Sequence, residues 1–370
     1  MYSTNSRAER DRGGTRSGGW RGRGSRTLLT ALACLAGFGC LAGFVITVAH
    51  RAPLRPAARA LPTALSLPTA RPSAASAPVA GSATASGPRL GAVSWPADGV
   101  SAASVSGYGV TDGPGATRQV PIASVAKLMT AYVILRDHPL PAGGSGPGIT
   151  VEPSEAAGYP AQAADGDSLV AVAAGEAITE RQALEALLLP SADNMAWILA
   201  RWDAGGEAAF AARMNAAARS LGMTGTRYTD PSGLDPSTVS TAADQVRLGL
   251  AALQVPALAA ITAQSSAVVP VAGLVRNTNT LLGQDGIVGL KTGSTQAAGG
   301  CLLVAARQEV NGRSTLIVAA AFGQPGTTGT ILPNALRAGH DLVLALETAL
   351  DPGARPGARE NSAVPLGRSQ

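Results

Sequence analysis

Residues 121–135 read PIASVAKLMTAYVIL, and the reading of this stretch decides the fold. From Ser124 onward it is an almost unbroken apolar run, which fits a buried helix. Positions i and i+3 share a helix face, so the hydroxyl of Ser124 and the amine of Lys127 stand side by side. Outward toward the N-terminus, GAVSW (91–95) and ASVSGYGV (103–110) read as short strands. Outward toward the C-terminus, Thr179-Glu-Arg-Gln182 forms a capping box that opens the helix ALEALLL before Pro190. Ser191 then precedes a second helical run, MAWILARW, and EAAFAARMNAAARSLGM is a further helix closed by Gly222. IVGLKTG (287–293) is an apolar strand. GCLLVAARQ and STLIVAAAF are two strands joined through Asn311-Gly312, and ALRAGHDLVLALETAL is a closing helix. Strands at both ends with helices between predict a mixed α/β (α+β) domain, an antiparallel sheet with helices packed on it.

That domain occupies 89–350 of the 370 residues. Residues 1–26 hold seven arginines against Glu9 and Asp11, which accounts for the net charge of +5. The remainder is near neutral and carries no footprint for nucleic acid. Residues 27–49 are uncharged and long enough to cross a bilayer as a helix. The arginines before them keep that end in the cytoplasm and send the rest outward. A retained anchor is preferred over a cleaved signal peptide, because the span is long for a signal and no A-x-A site precedes Arg51. Residues 50–88, rich in Ala, Pro and Ser, cannot bury a core and read as an extended linker. Residues 351–370 read as a disordered tail. The expected location is thus the cell membrane, single-pass, with the domain extracytoplasmic. Cys301 is the one cysteine beyond the span, so no intrachain disulfide is expected there.

Lysine usage is the sharpest signal. Of 29 basic residues only Lys127 and Lys291 are lysine. Arginine serves for solvation and ion pairs but does not give up its proton in a protein. The two lysines are therefore candidates for amine chemistry. A serine hydroxyl is a poor nucleophile until an adjacent base takes its proton, and Lys127 is placed to do so once burial and a second cation lower its affinity for protons. Lys291 can be that second cation and can also bind a carboxylate. Gly293, two residues on, lets a substrate backbone approach the strand. Alone, S-x-x-K and K-T-G are weak signals. In order, with Ser191 in a turn between two helices, they are a strong one.

With these motifs the chain resembles the D-alanyl-D-alanine carboxypeptidases, the low-molecular-mass penicillin-binding proteins. PIASVAKLMTAYVIL, GEAIT…LLLPSADN, MNAAARSLGM, DPSGL…STAADQ, NTNTLL and GLKTGSTQAAGGCLLVAA follow the family's order across nearly all of 118–306. The resemblance implies the fold of β-lactamases and transpeptidases, with an all-helical subdomain carrying the middle motif. It implies that Ser124 is acylated by the penultimate D-Ala of a peptidoglycan stem peptide, and by β-lactams, with Lys127 as general base. Ser191 would relay a proton to the leaving D-Ala, and Lys291 and Thr292 would hold its carboxylate. The backbone N–H groups of Ser124 and Ser294 would form the oxyanion hole.

The family's middle motif is S-x-N, whereas this chain has Ser191-Ala192-Asp193 with Asn194 one place late. Two arrangements follow. Asn194 turns inward to meet the substrate, or Asp193 pairs with Lys127 or Lys291 and strengthens that lysine's hold on its proton. The second is preferred, because Asn194 opens a helix and is less free to swing. Thr238 stands where the family commonly has a histidine. No zinc-ligand spacing, phosphate-binding glycine loop or Ser–His–Asp set is present, so no metal or cofactor is expected. Two rival functions are a catalytically weak module that binds peptidoglycan or penicillin, and a β-lactamase. The second lacks its deacylating carboxylate, since Glu207–Asn215 does not supply one.

Overall fold

The computed structural model describes residues 90–350 apart from Ala142 and Asn311. The basic segment, the apolar span, the linker and the tail expected at 1–26, 27–49, 50–88 and 351–370 lie outside the described residues.

Five strands form an antiparallel sheet: β1 (Val100–Val105), β2 (Gly109–Asp112), β3 (Ile287–Thr295), β4 (Gly299–Val310) and β5 (Arg313–Gln324), in the order β2-β1-β5-β4-β3. The expected C-terminal hairpin is β4–β5, paired from Val310↔Arg313 to Gly300↔Gln324. Strand side chains alternate between faces, and here both faces are apolar. Leu302, Val304, Ala306, Ile317 and Ala319 pack under α8 (Ile331–Leu350), which closes one side. Leu303, Ala305, Val318, Ala320 and Phe322 face a second, larger core.

That second core is built around α1 (Ala126–Asp137). Its residues from Ala126 to Ala131 are all buried, as are Val133, Ile134 and Leu135. Such a helix is stable only when enclosed. It is wrapped by α3 (Glu180–Leu188), α4 (Asp193–Ala204), α5 (Glu207–Ser220), α6 (Ala242–Leu253) and α7 (Pro256–Thr262). A peripheral helix, α2 (Pro153–Asp165), packs on α4. The capping box at the start of α3 is formed as expected: Thr179 Oγ1 accepts from Gln182 N–H at 3.3 Å and Gln182 accepts from Thr179 N–H at 3.1 Å.

Two expectations at the N-terminal end need correction. GAVSW is not a strand; Val93 and Trp95 pack against the α8 core instead, and Gly91 N–H bonds the carbonyl of Ala349. ASVSGYGV is not one strand: Ala103–Val105 end β1, Gly109 and Val110 begin β2, and the chain reverses between them, where Gly107 and Gly109 both adopt positive φ.

The turn at 230–234 positions the start of α1. Asp230 Oδ2 accepts from the backbone N–H groups of Ser232 (3.1 Å), Gly233 (2.7 Å) and Leu234 (3.1 Å) and from the Ser232 hydroxyl (2.6 Å). Gly233 has φ +84°, and a Cβ there would run into the carbonyl oxygen of Ala123. Gly233→Ala is therefore expected to destabilise the fold by about 2 kcal/mol or more. Thermal denaturation checks this; an unchanged melting temperature would contradict it.

Candidate active site

The chain enters α1 through a short 3-10 turn, Ala123–Val125, which contains Ser124. Ala123 has φ +47°, an uncommon conformation for a residue with a side chain. Ser124 remains partly exposed while its neighbours Ala123 and Val125 are buried. Across from it lies β3, which among the described residues pairs only with β4 and forms an edge of the sheet. Gly293 on β3 is pressed so close that a Cβ would sit 3.0 Å from Ile122 O, Ser124 N and Val125 N. The glycine thus lets the strand approach the serine's own turn, a tighter requirement than room for a substrate.

Lys127 is fully buried, and its Nζ meets three oxygens: Ser124 Oγ at 2.7 Å, Asp193 Oδ1 at 2.6 Å and Ser191 Oγ at 3.4 Å. An ammonium has three protons to donate, so this set can satisfy it. Burial pulls the proton affinity of Lys127 below the ordinary lysine value. The charge and hydrogen bond of Asp193 oppose that shift, with smaller pulls in the same sense from Asp230 and Asp167. Ser191 lies in the link between α3 and α4 with φ +67° and is 6 % exposed. Uncommon backbone conformations thus occur both beside Ser124 and at Ser191.

Of the two arrangements open for Asp193, the structure has the ion pair with Lys127, at 2.6 Å and with both side chains buried. The second carboxylate oxygen accepts from Ser168 N–H at 2.9 Å, and Asp193 N–H donates to Ser168 O at 2.6 Å. Asn194 does not turn inward. Its Oδ1 accepts from Val170 N–H (3.2 Å) and its Nδ2 donates to Val170 O (2.8 Å), so its amide clamps a loop and is not available to a substrate. Ser168 and Val170 contribute through their backbones, which leaves no signal in residue type.

Lys291 is buried on β3, and its Nζ donates to Thr292 O at 3.0 Å. Burial, with the charge of Lys127 added to it, holds its proton affinity well below the ordinary lysine value. Thr292 is buried beside it and Ser294 is exposed. The two buried lysines therefore lie near enough for the charge of Lys127 to act on Lys291, and among the described residues the one carboxylate ion-paired to either is Asp193, a charge pattern suited to an anionic ligand.

Other candidate groups are engaged elsewhere. His138 pairs with Asp203 at 2.9 Å, and His340 with Asp285 at 2.6 Å. Cys301 is buried opposite Gly293 in the sheet, and burial pushes its thiol up to about 12, which keeps it protonated at neutral pH. Thr238, at the family's histidine position, accepts from Thr229 N–H and donates to Asp230, so it braces the 230–234 turn.

A family model described as D-alanyl-D-alanine carboxypeptidase matches residues 113–323. The D-alanyl-D-alanine endopeptidase of Pseudomonas aeruginosa is 39% identical over 214 residues, which is 55% of this chain and 65% of that protein. The D-alanyl-D-alanine carboxypeptidase DacB2 of Mycobacterium tuberculosis is 40% identical over 161 residues, 42% of this chain and 54% of that protein. The chain thus spans less than two thirds of the length of these relatives. The crystal structure of the Streptomyces K15 DD-transpeptidase superposes with a TM-score of 0.59, covering 69% of this chain and all of that one at 22% identity, a likeness of fold.

The geometry fixes the sign of one titration. Asp193 stabilises the protonated form of Lys127, so Asp193→Asn lowers the pKa of Lys127 further. With two lysines in the chain, 13C labelling at lysine Cε resolves each one by NMR. A Lys127 pKa that stays put or rises in Asp193→Asn would contradict the pairing.

Proposed function

The chain belongs to the D-alanyl-D-alanine carboxypeptidase family, and from that premise we propose that it removes the terminal D-Ala from peptidoglycan stem peptides through an acyl-enzyme on Ser124. The observation that carries the proposal is the position of Lys127 Nζ, within hydrogen-bonding reach of both Ser124 Oγ and Ser191 Oγ.

In this reading Lys127, in its neutral form, takes the proton of Ser124 as Oγ attacks the penultimate D-Ala carbonyl. The developing oxyanion is held by the backbone N–H groups of Ser124 and Ser294. The C–N bond then breaks. Ser191 hands its proton to the leaving amine and is reprotonated by Lys127, which restores the base. Lys291 and Thr292 hold the carboxylate of the departing D-Ala. Water adds to the ester and frees Ser124. A β-lactam carries a carboxylate beside a strained amide, so it enters by the same contacts and leaves its acyl group on the same serine. The substrate chain lies along β3, whose outer edge is unpaired among the described residues and can receive an extended peptide.

Asp193 makes this a guarded site. It favours the protonated, inactive form of Lys127 against the burial that lowers the lysine's proton affinity, so it opposes the release of the free base. A module that only binds stem peptides is the alternative that Asp193 favours, because a carboxylate accepts but cannot donate the hydrogen bond of an amide. The uncharged span at 27–49 behind its arginine flank supports an extracytoplasmic domain held on the membrane. Protease added to intact cells tests that placement: digestion of the domain supports it, and protection refutes it.

The catalytic proposal is tested by incubating the protein with a stem pentapeptide and measuring free D-Ala. Release by the wild type, and a loss of at least about 100-fold in Lys127→Arg, is expected, since arginine keeps the charge but cannot act as base. Binding without release would favour the binding module. Rapid turnover of a chromogenic cephalosporin would favour a β-lactamase.

A further inference from the structure

Thr278 lies between Asn277 and Asn279 in a turn that neither flanking residue leaves to chance. Asn277 Oδ1 accepts from Asn279 N–H at 2.9 Å, and Asn279 Oδ1 accepts from Leu281 N–H at 3.2 Å. Asn277 Nδ2 also donates to the carbonyl of Gln264 at 2.9 Å, anchoring the turn to the segment after α7. Each asparagine closes a local turn on its own backbone, and between them Thr278 bridges two walls of the site. Its Oγ1 is 2.6 Å from Thr292 Oγ1 on β3. Its N–H and its Oγ1 both reach the carbonyl of Leu189, at 3.0 and 3.3 Å, two residues before Ser191.

We propose that Thr278 is a positioning residue that turns the Thr292 hydroxyl toward the substrate carboxylate. The inference rests on the reading that Lys291 and Thr292 receive that carboxylate. Each hydroxyl owns one proton. With the pocket empty, Thr278 donates to Leu189 O and accepts from Thr292, whose proton then points away from the pocket. A carboxylate draws the Thr292 proton to itself, because a charged acceptor makes the stronger bond. Thr278 then swings its own proton onto Thr292 Oγ1. Leu189 O stays satisfied by the Thr278 N–H, so the exchange moves two protons, leaves every heavy atom in place and orphans no buried group. Donation from Thr278 also polarises the Thr292 hydroxyl and strengthens its bond to the anion. Valine has the shape of threonine and none of this capacity; serine has the capacity.

The test compares acylation rate constants for benzylpenicillin and for its methyl ester, which lacks the anionic group, on the full chain by mass spectrometry. Both rates come from one preparation, so any misfolded fraction cancels from their ratio. The wild type is expected to prefer the acid, Thr278→Val to lose about tenfold of that preference, and Thr278→Ser to keep it within about twofold. An undiminished preference in Thr278→Val, or a loss falling equally on acid and ester, would overturn the role of Thr278 and leave the proposed function standing. So would a serine variant that behaves like valine. A wild type that neither reagent acylates would overturn the proposed function, and this inference with it.

Discussion

Two lysines buried in one pocket are the constraint on which the rest of the structure depends. Removing an ammonium from water costs several kcal/mol unless it is paired. The protein responds by giving Lys127 a carboxylate and two hydroxyls and by leaving Lys291 with little beyond Thr292. Unequal compensation keeps the pair chemically useful. A fully neutralised lysine would hold its proton, and an uncompensated pair would disfavour the fold. Asp193 sits at the balance point, and its second oxygen is pinned by Ser168 so that it cannot drift away from Lys127.

Holding that pocket together demands close backbone approaches. Gly293 lets β3 touch the turn of Ser124, and Gly233 lets the 230–234 turn touch Ala123 from another side. Ala123, at the Gly233 contact, adopts positive φ, and so does Ser191 in the link between α3 and α4. Such conformations persist only where surrounding packing over-determines them, and here that packing is the enclosed helix α1 with the sheet behind it. The sheet, with α8 on its far face, is the rigid backing against which two serines and two lysines from distant parts of the chain are brought into register.

Much of this was legible in the sequence because it is written in residue type and spacing. The i, i+3 placement of Ser124 and Lys127 requires only helical geometry. The rarity of lysine singled out Lys127 and Lys291, and capping and hairpin signals placed α3 and the β4–β5 pair. What was not legible depends on neighbours. GAVSW has strand-like composition, but it packs on α8 and pairs with no strand of the sheet. The helix α2 carries Pro160 in its interior, and a proline inside a helical pattern reads as a break. Asn194 and Asp193 are adjacent and both polar; which one faces Lys127 is decided by backbone groups of Ser168 and Val170, which any residue but proline could supply. The bridge from Thr278 to Thr292 joins segments whose contact no local pattern announces.

The claim that Lys127 acts on Ser124 as a neutral base, restrained by Asp193, is tested most directly by the pH dependence of Ser124 acylation in the wild type and in Asp193→Asn. Activity should rise with pH as Lys127 loses its proton, and the substitution should move that rise to lower pH by the same interval through which it moves the Lys127 titration observed by NMR. A rise that stays in place while the Lys127 titration moves would contradict the account, because some other group would then be taking the proton from Ser124.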